Sequence, residues 1–211
     1  GNRLLGSLHL LTAGTTSKEE NRSEFYAAVA QQFSAAIERT SLFEEIQQLA
    51  ITDPLTGLFN RRHFDYLAER ELRRARRMKR TLAIIMMDLD HFKKVNDLYG
   101  HLNGDRVLKG IAERCKTTLR ELDILARYGG EEFVILLPEC DFERALQVAE
   151  RLRTTISDKP FITERDLIWV TASLGVTALT AGSGKTLMEL VREADLSLYN
   201  AKSAGRNKVH S

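Results

Sequence analysis

Two short acidic segments of the chain carry residue types that could hold a divalent metal ion. Asp88 and Asp90 come directly after the apolar run of residues 82–87, and Glu131 follows a Gly-Gly pair. If the strands beside these segments are neighbours in one sheet, the carboxylates converge and repel each other unless a cation lies between them. Mg²⁺ often combines one or two carboxylates with substrate phosphates. Asp90 either joins this site or faces away from it, and each segment alone is also compatible with a solvated carboxylate.

The acidic segments lie on elements whose order predicts an α+β fold. The continuous apolar run at 82–87 predicts a strand buried on both faces, and the Gly-Gly pair between two strand-like runs predicts a β-hairpin. Alternation over 168–176 predicts a strand covered on one face. Further helices and strands are predicted at 61–79, 104–120, 124–128, 131–137, 141–157 and 186–203, with an edge strand at 208–209. From residue 82 onward the order is βαββαβ, a ferredoxin-like sheet with helices mainly against one face.

The first 50 residues have a different pattern. Residues 4–11 predict a short strand, and from Asn21 to Ala50 apolar residues recur at steps of three or four, as on one helix face. A helix of about 45 Å with one narrow apolar stripe needs a partner. That partner is either its own domain or the same helix of a second chain. Pro54 and Gly57 break the pattern and indicate a domain boundary near residue 51.

Composition excludes several classes of protein. Of the 211 residues, 43% are apolar and 28% charged, which is enough for a folded core and argues against intrinsic disorder. Lys and Arg total 31 against 29 for Asp and Glu, so the net charge of +2 does not favour a nucleic-acid polymer as partner. No apolar run approaches the ~20 residues of a transmembrane helix. Cys115 and Cys140 are too far apart in sequence to suggest a zinc motif.

The motifs resemble those of the GGDEF family of diguanylate cyclases, in the same order. The matching segments are an entry motif at 53–62, the run from Asp88 to Asp105, the Gly-Gly-Glu-Glu-Phe signature at 129–133 and a closing motif at 201–207. The resemblance implies a palm-type cyclase fold and a reaction that needs Mg²⁺, or alternatively Mn²⁺. In this reaction two GTP molecules give cyclic di-GMP and pyrophosphate. Because each domain holds one GTP, the resemblance also implies a homodimer, which gives the helix at 21–50 a function.

The resemblance assigns roles to individual residues. The catalytic and metal-binding positions match Asp88, Leu89 (through its backbone carbonyl), Glu131 and Glu132. Asn96 and Asp105 match the residues that read guanine, whose edge offers both donors and acceptors to an amide and a carboxylate. The other substrate contacts match Phe92, Lys93, Gly129, Gly130, Lys202 and Arg206. Taken singly, Asp105 is also an ordinary carboxylate at a helix start, and each lysine an ordinary surface residue.

A second site is implied by Arg120 and Asp123, which match the family's Arg-x-x-Asp site for inhibition by the product cyclic di-GMP. Arg151, on the following helix, matches a third contact. Arginine suits this role because its planar group can pair with a guanine edge or a phosphate. The alternative is a surface Arg–Asp pair at a helix end, which contributes little to the stability of the fold.

The sequence divides into three parts on this reading. Residues 1–20 resemble the tail of an upstream sensor domain of the GAF type, 21–51 form a signalling and dimerisation helix, and 52–211 form the GGDEF catalytic domain. A cytoplasmic location is expected, although the parent protein could be attached to a membrane outside this segment. The alternative function is a non-catalytic module that binds GTP or cyclic di-GMP. A second alternative is an enzyme that makes a mixed cyclic dinucleotide when ATP is present.

Overall fold

The computed structural model describes residues 19–163, 166–180 and 182–211, with the side chains of 19–24 and 41–50 left out. Backbone contacts divide the chain into a unit of residues 1–50 and a unit of residues 51–211. The helix α1 (Glu19–Ile51) agrees with the helix expected from residue 21. The strand expected at 4–11 and the sensor-like tail expected at 1–20 are not within the described residues, apart from the first two residues of α1.

The second unit alternates strands and helices around one sheet. Its elements are β1 (Phe59–Asn60), α2 (Arg61–Met78), β2 (Leu82–Leu89), α3 (Phe92–Tyr99), α4 (His101–Thr118), β3 (Ile124–Arg127), β4 (Glu132–Pro138), α5 (Phe142–Ser157), β5 (Phe161–Ile162), β6 (Leu167–Ile168), β7 (Ala172–Leu179), α6 (Leu187–Ser203) and β8 (Val209–His210). Strands β1-β3-β4-β2-β7-β8 form the sheet in that order, and β5 pairs with β6 separately.

The sheet has the ferredoxin-like strand order at its centre. The three pairings β3–β4, β4–β2 and β2–β7 are antiparallel, whereas β1 pairs with β3 and β8 pairs with β7 in parallel at the edges. The predicted α+β fold is therefore confirmed, and so are the Gly-Gly hairpin between β3 and β4 and the edge strand at the C-terminus. Among the helices of the described residues, none is long and apolar enough to cross a membrane.

Helices cover both faces of the sheet, and the expectation that they lie mainly against one face is wrong. Alternate residues of β2 enter two separate cores: Ile85 packs with α4 and α5, whereas Ile84 packs with α2 and α6. Every residue of β2 is consequently buried. A strand that is covered on both faces does not alternate polar and apolar residues. Its sequence is therefore a continuous apolar run.

The strand expected at 168–176 is divided in the structure between β6 and β7, and β7 is buried on both faces instead of one. The side of β7 that carries Ser173, Gly175 and Thr177 faces helix α6, which packs closely there. A Cβ added at Gly175 would lie 2.1 Å from the backbone oxygen of Ala194. Small residues on this side reflect the close approach of a helix backbone and not contact with solvent.

Side chains cap the starts of two helices. Asn60 caps α2 by accepting a hydrogen bond from the backbone N–H of His63 at 2.9 Å. Thr186 and Glu189 form a reciprocal capping box at the start of α6. Such caps satisfy backbone donors that the helix itself leaves unpaired. Helix α3 was not predicted, and α4 begins at His101, three residues earlier than expected.

Candidate active site

The two acidic segments meet at one end of the central sheet. Asp88 lies within β2 and pairs in register with Glu132 of β4 on one side and with Ser173 of β7 on the other. The backbone N–H of Leu89 donates a hydrogen bond to the backbone oxygen of Glu131 at 3.3 Å. The sheet therefore brings the end of one central strand against the start of its neighbour, which places the carboxyl groups of both segments at the same edge.

Lys202 supplies positive charge to this edge. Its Nζ lies 2.8 Å from Oδ2 of Asp88, whose side chain is only 8% exposed. Burial raises the pKa of Asp88, and the repulsion of nearby Asp90 adds to this, while Lys202 and Arg206 act in the opposite direction. The ionised form of Asp88 is thus penalised in the fold despite two basic groups near it.

Glu131 shares this electrostatic environment. Burial raises its pKa, the charges of Asp88 and Glu132 raise it further, and Lys202 opposes them. Carboxylates that are desolvated and close to one another favour any added cation. Glu131 and Asp88 therefore belong to one coupled acidic site.

The donor set of this site fits a hard divalent ion. Among the described residues, no three acidic, His or Cys side chains cluster as a complete metal cage. Two carboxylates with raised pKa values remain, together with the backbone oxygens of the adjoining strand. This composition suits Mg²⁺, which keeps few protein ligands and completes its shell with water and phosphate oxygens.

The hairpin turn beside the acidic site is tightly organised. The backbone N–H groups of Tyr128 and Gly129 donate to the backbone oxygen of Glu132 at 2.8 and 3.2 Å. A Cβ added at Gly129 would lie 2.3 Å from Oε2 of Glu132, whereas one added at Gly130 would meet no atom within 4 Å. Gly129 therefore makes room for the Glu132 carboxylate, and Gly130 leaves open space above the turn.

The pair of Asn96 and Asp105 is brought together by two successive helices. Asn96 lies on α3 and Asp105 in the first half of α4, and Gly100, with φ of 79°, joins the two helices. A Cβ added at Gly104 would lie 1.9 Å from Oδ1 of Asn96, so the Asn96 side chain rests against the backbone next to Asp105. An amide and a carboxylate, both half-buried, thus occupy one small region.

The remaining substrate positions lie in different environments. Phe92 is 3% exposed and packs in the core, so any contact that position 92 makes to a substrate uses its backbone. Lys93 is exposed in the first turn of α3. His91 precedes that helix with φ of 55° and no side-chain capping hydrogen bond. Arg206 is exposed in the turn after α6, close enough to Asp88 to lower the pKa of that carboxyl.

One arrangement that sequence reasoning missed ties the entry motif to the hairpin turn. Arg127 donates from Nη1 to both carboxylate oxygens of Asp53 at 3.1 Å, and from Nε and Nη2 to the backbone oxygen of Gly130 at 3.1 and 2.6 Å. Burial acts to raise the pKa of Asp53, but hydrogen bonds from Thr56 and the charge of Arg127 together lower it. Asp53 begins the entry motif and Arg127 stands two residues before the Gly-Gly pair, but they are 74 positions apart, so no local spacing indicates that they meet.

We expect the Asp53–Arg127 pair to stabilise the domain. A double-mutant cycle with Asp53→Asn and Arg127→Gln should give a coupling free energy of about 1–3 kcal/mol in urea unfolding. Because the fold lowers the pKa of Asp53, the ionised carboxylate stabilises the folded chain at pH values above its ordinary pKa. This stabilisation is lost as the pH falls through the lowered pKa. The unmodified chain should therefore lose more stability than Asp53→Asn on acidification below about pH 4. Equal losses in the two proteins would contradict this assignment.

The residues expected to form a product-binding site also come together. Oδ2 of Asp123 accepts a hydrogen bond from the backbone N–H of Arg120 at 2.9 Å. Arg151 of α5 donates to the backbone oxygen of Thr118 at 3.0 Å. Burial raises the pKa of Asp123, and the charges of Arg120 and Arg151 counteract it. Both guanidinium groups are on exposed residues, so this cluster can accept an anionic or guanine-bearing ligand from solvent.

The sheet, the coupled carboxylates and the lysine beside them have the arrangement of a palm-type domain. A family model described as "Diguanylate cyclase, GGDEF domain" matches residues 50–208. The chain belongs to this GGDEF family.

Known relatives agree with this assignment. Diguanylate cyclase DgcP of Pseudomonas aeruginosa is 38% identical over 96% of the chain and 31% of its own length. Response regulator PleD of Caulobacter vibrioides is 43% identical over 77% of the chain and 36% of its own length. The coiled coil and GGDEF domain of DgcB from Caulobacter crescentus, solved with c-di-GMP, superposes with a TM-score of 0.79 at 28% identity, covering 88% of this chain and 98% of that one. The chain spans about a third of the length of these two curated relatives.

Proposed function

We propose that this protein is a diguanylate cyclase that condenses two GTP molecules into cyclic di-GMP. The observation that carries the proposal is the coupled acidic site of Asp88 and Glu131, with Lys202 in direct contact, in a chain of the GGDEF family. In each half-reaction a 3′-hydroxyl oxygen bonds to the α-phosphorus of the other GTP. The α–β phosphoanhydride bond breaks, pyrophosphate leaves, and the hydroxyl proton passes to a carboxylate of the site or to water.

The residues divide this work by chemistry. Asp88, Glu131 and the backbone carbonyl of Leu89 hold Mg²⁺ or Mn²⁺, which when bound neutralises phosphate charge and lowers the pKa of a coordinated hydroxyl. Lys93, Lys202 and Arg206 bind the triphosphate as cations, and Gly130 leaves room for it above the hairpin. Glu132, whose carboxylate lies over Gly129, contacts the nucleotide or accepts the proton.

Asn96 and Asp105 account for selection of guanine. A carboxylate accepts from the N1–H and N2–H₂ donors of guanine, and an amide can both donate and accept. Adenine presents a different edge. When ATP occupies a site built to bond guanine, the Asp105 carboxylate is left without a donor. We therefore propose that GTP is preferred over ATP, which would disfavour a mixed cyclic dinucleotide.

Dimerisation is part of the proposal because each domain holds one GTP. Phe25, Phe33 and Ile37 repeat at one side of α1 and are 62%, 56% and 45% exposed. An exposed apolar stripe on a long helix is typical of a helix that pairs with another. We propose that α1 pairs with its copy in a homodimer, transmits the state of an upstream sensor domain, and operates in the cytoplasm, where GTP is available.

The test is an incubation of the purified chain with GTP and Mg²⁺, followed by chromatography with mass detection. Cyclic di-GMP should form with a steeper than linear dependence on protein concentration, because two chains must meet. A parallel incubation with equal GTP and ATP should give little mixed product. Binding of GTP without product at any protein concentration would instead support a non-catalytic binding module.

Product inhibition gives a separate prediction. Arg120→Ala should weaken inhibition by cyclic di-GMP at least about tenfold, because the cluster would lose a planar group able to pair with guanine or phosphate. The initial rate at low product should stay near that of the unmodified chain. Rates measured against added cyclic di-GMP check this, with Arg144→Ala on the exposed start of α5 as the control. Equal inhibition of all three proteins would remove the proposed site.

A further inference from the structure

Asp90 is a buried carboxylate whose two oxygens are both engaged by the protein. It is 6% exposed, and its Oδ1 accepts a hydrogen bond from Ser173 Oγ at 2.7 Å. Its Oδ2 accepts one from Thr171 Oγ1 at 2.7 Å and one from the backbone N–H of Asn207 at 2.9 Å. Charge-assisted bonds of this length are strong. Asp90 therefore has a different role from Asp88, although the two stand two residues apart in an acidic motif.

The Asn207 bond fixes a turn with an unusual backbone. Arg206 and Asn207 take φ values of 61° and 46°, so two successive residues other than glycine lie in the left-handed region. Such a conformation is disfavoured for each residue and persists where surrounding contacts over-determine it. Asp90 accepts a hydrogen bond from the backbone N–H of Asn207. The side-chain Oδ1 of Asn207 accepts a second hydrogen bond, from Arg153 Nη1 at 2.8 Å.

The other tether of the turn is itself anchored. Arg153 of α5 is bound by both carboxylate oxygens of Glu150 at 2.6 to 3.0 Å. The turn follows directly from α6, because the backbone N–H of Arg206 donates to the backbone oxygen of Ala201 at 3.1 Å. The position of this left-handed turn therefore determines where Arg206 lies, and also where the C-terminal end of α6, which carries Lys202, lies.

We propose that Asp90 is a positioning residue for triphosphate binding and not a metal ligand. Through the backbone of Asn207 it holds the left-handed turn in place. The turn in turn keeps Arg206 and the end of α6 beside the acidic site, where Lys202 contacts Asp88. This inference rests on the proposed function, because it concerns how that site binds the phosphates of GTP.

Two substitutions at Asp90 separate positioning from metal binding. In Asp90→Asn, the amide oxygen can accept from Thr171 and Asn207, and the amide nitrogen can donate to Ser173 Oγ, so all three contacts survive without the charge. In Asp90→Ala all three are lost. If Asp90 positions the turn, asparagine can take over its role and alanine cannot. If Asp90 is a metal ligand, asparagine fails as well, because the ligand needs the charge.

The measurement is the dissociation constant of the α,β-methylene analogue of GTP, which cannot react, with Mg²⁺ and again with EDTA. Asp90→Ala should bind at least about tenfold more weakly than the unmodified chain in both conditions. Asp90→Asn should stay within about threefold in both. Loss of binding by Asp90→Asn in Mg²⁺ alone would show a metal ligand and overturn the inference.

A matched control removes a bond to Asp90 without touching the turn. Thr171→Val deletes one donor to the same Oδ2 but leaves the Asn207 bond, so it should lower the free energy of unfolding and leave the affinity for the analogue within about twofold. An equal loss of affinity in Thr171→Val and Asp90→Ala would mean that general destabilisation is the cause, and would contradict positioning.

A second pair of variants keeps the test decisive if Asp90→Ala does not fold. Arg153→Met removes the other tether of Asn207, and Arg144→Met on the same helix is its control. Arg153→Met should weaken binding of the analogue about threefold or more, and Arg144→Met should leave it unchanged. Equal affinities for these two would overturn the inference. Failure of the unmodified chain to bind would contradict both the proposed function and this inference, whereas binding unaffected by Asp90→Ala and Arg153→Met contradicts the inference alone.

Discussion

Replacing Asp88 by Asn is expected to lower the rate of cyclic di-GMP formation at least about 100-fold at saturating GTP and Mg²⁺. Asparagine has nearly the same shape as aspartate but lacks the charge that would hold a divalent ion beside Glu131. Stabilisation of phosphate charge by a bound ion contributes several kcal/mol to such reactions, and each 1.36 kcal/mol changes the rate tenfold. The rate is measured by chromatography, and binding of Mn²⁺ by electron paramagnetic resonance.

The stability of the Asp88→Asn variant distinguishes loss of chemistry from loss of fold. Because burial raises the pKa of Asp88, its ionised form is penalised in the folded state at neutral pH, and that penalty disappears as pH falls through the raised value. Removing the charge should therefore leave the urea midpoint close to that of the unmodified chain, even though Lys202 loses its partner. Asp195→Asn, which removes an exposed carboxylate from α6, is the control and should keep full activity. Unchanged turnover in Asp88→Asn would refute the metal assignment.

Placing a charge on the apolar stripe of α1 is expected to have the second largest effect. Phe33→Glu should reduce product formation per chain roughly tenfold or more in dilute protein, with recovery as concentration rises. The reason is that paired helices hold two catalytic domains at high effective concentration, whereas separated chains must meet by diffusion. Sedimentation velocity of the same samples should show a matching shift from dimer to monomer.

Gln31→Glu is the control for that variant. It adds the same charge at an exposed residue about two hundred degrees around the helix from Phe33. It should leave both the sedimentation profile and the activity unchanged. A dimer that persists in Phe33→Glu, with normal activity in dilute protein, would remove the proposed role of α1.

The two-sided sheet shows where sequence patterns fail to reveal packing. The apolar run of β2 signalled burial on both faces correctly, because every residue of it contacts a core. Strand β7 gave the opposite impression, since Ser173 and Gly175 resemble a solvent-facing side. In fact the backbone of α6 approaches Gly175 so closely that no Cβ fits there. Small size and polarity look alike in a sequence, and only the neighbouring helix distinguishes them.

The acidic motif at 88–90 shows the same limit at the site itself. Asp88 and Asp90 are the same residue type at a spacing of two, which in a strand places them on one face. In the structure Asp88 belongs to the coupled acidic site, whereas Asp90 accepts hydrogen bonds from Thr171 just before β7, from Ser173 in β7 and from the turn after α6. Those donors lie more than 80 positions further along the chain. The residues near Asp90 in the sequence therefore give no indication of them.

The sequence by itself determined the family, the α+β class and the central hairpin. These features depend on residue types at short spacing, such as an apolar run or a Gly-Gly turn. The tertiary structure alone decided that helices cover both sheet faces, that Arg127 binds Asp53, and that Asp90 holds the turn at Asn207. Each of these is a contact between segments far apart in the chain, and such contacts depend on how whole elements pack, which local patterns do not record.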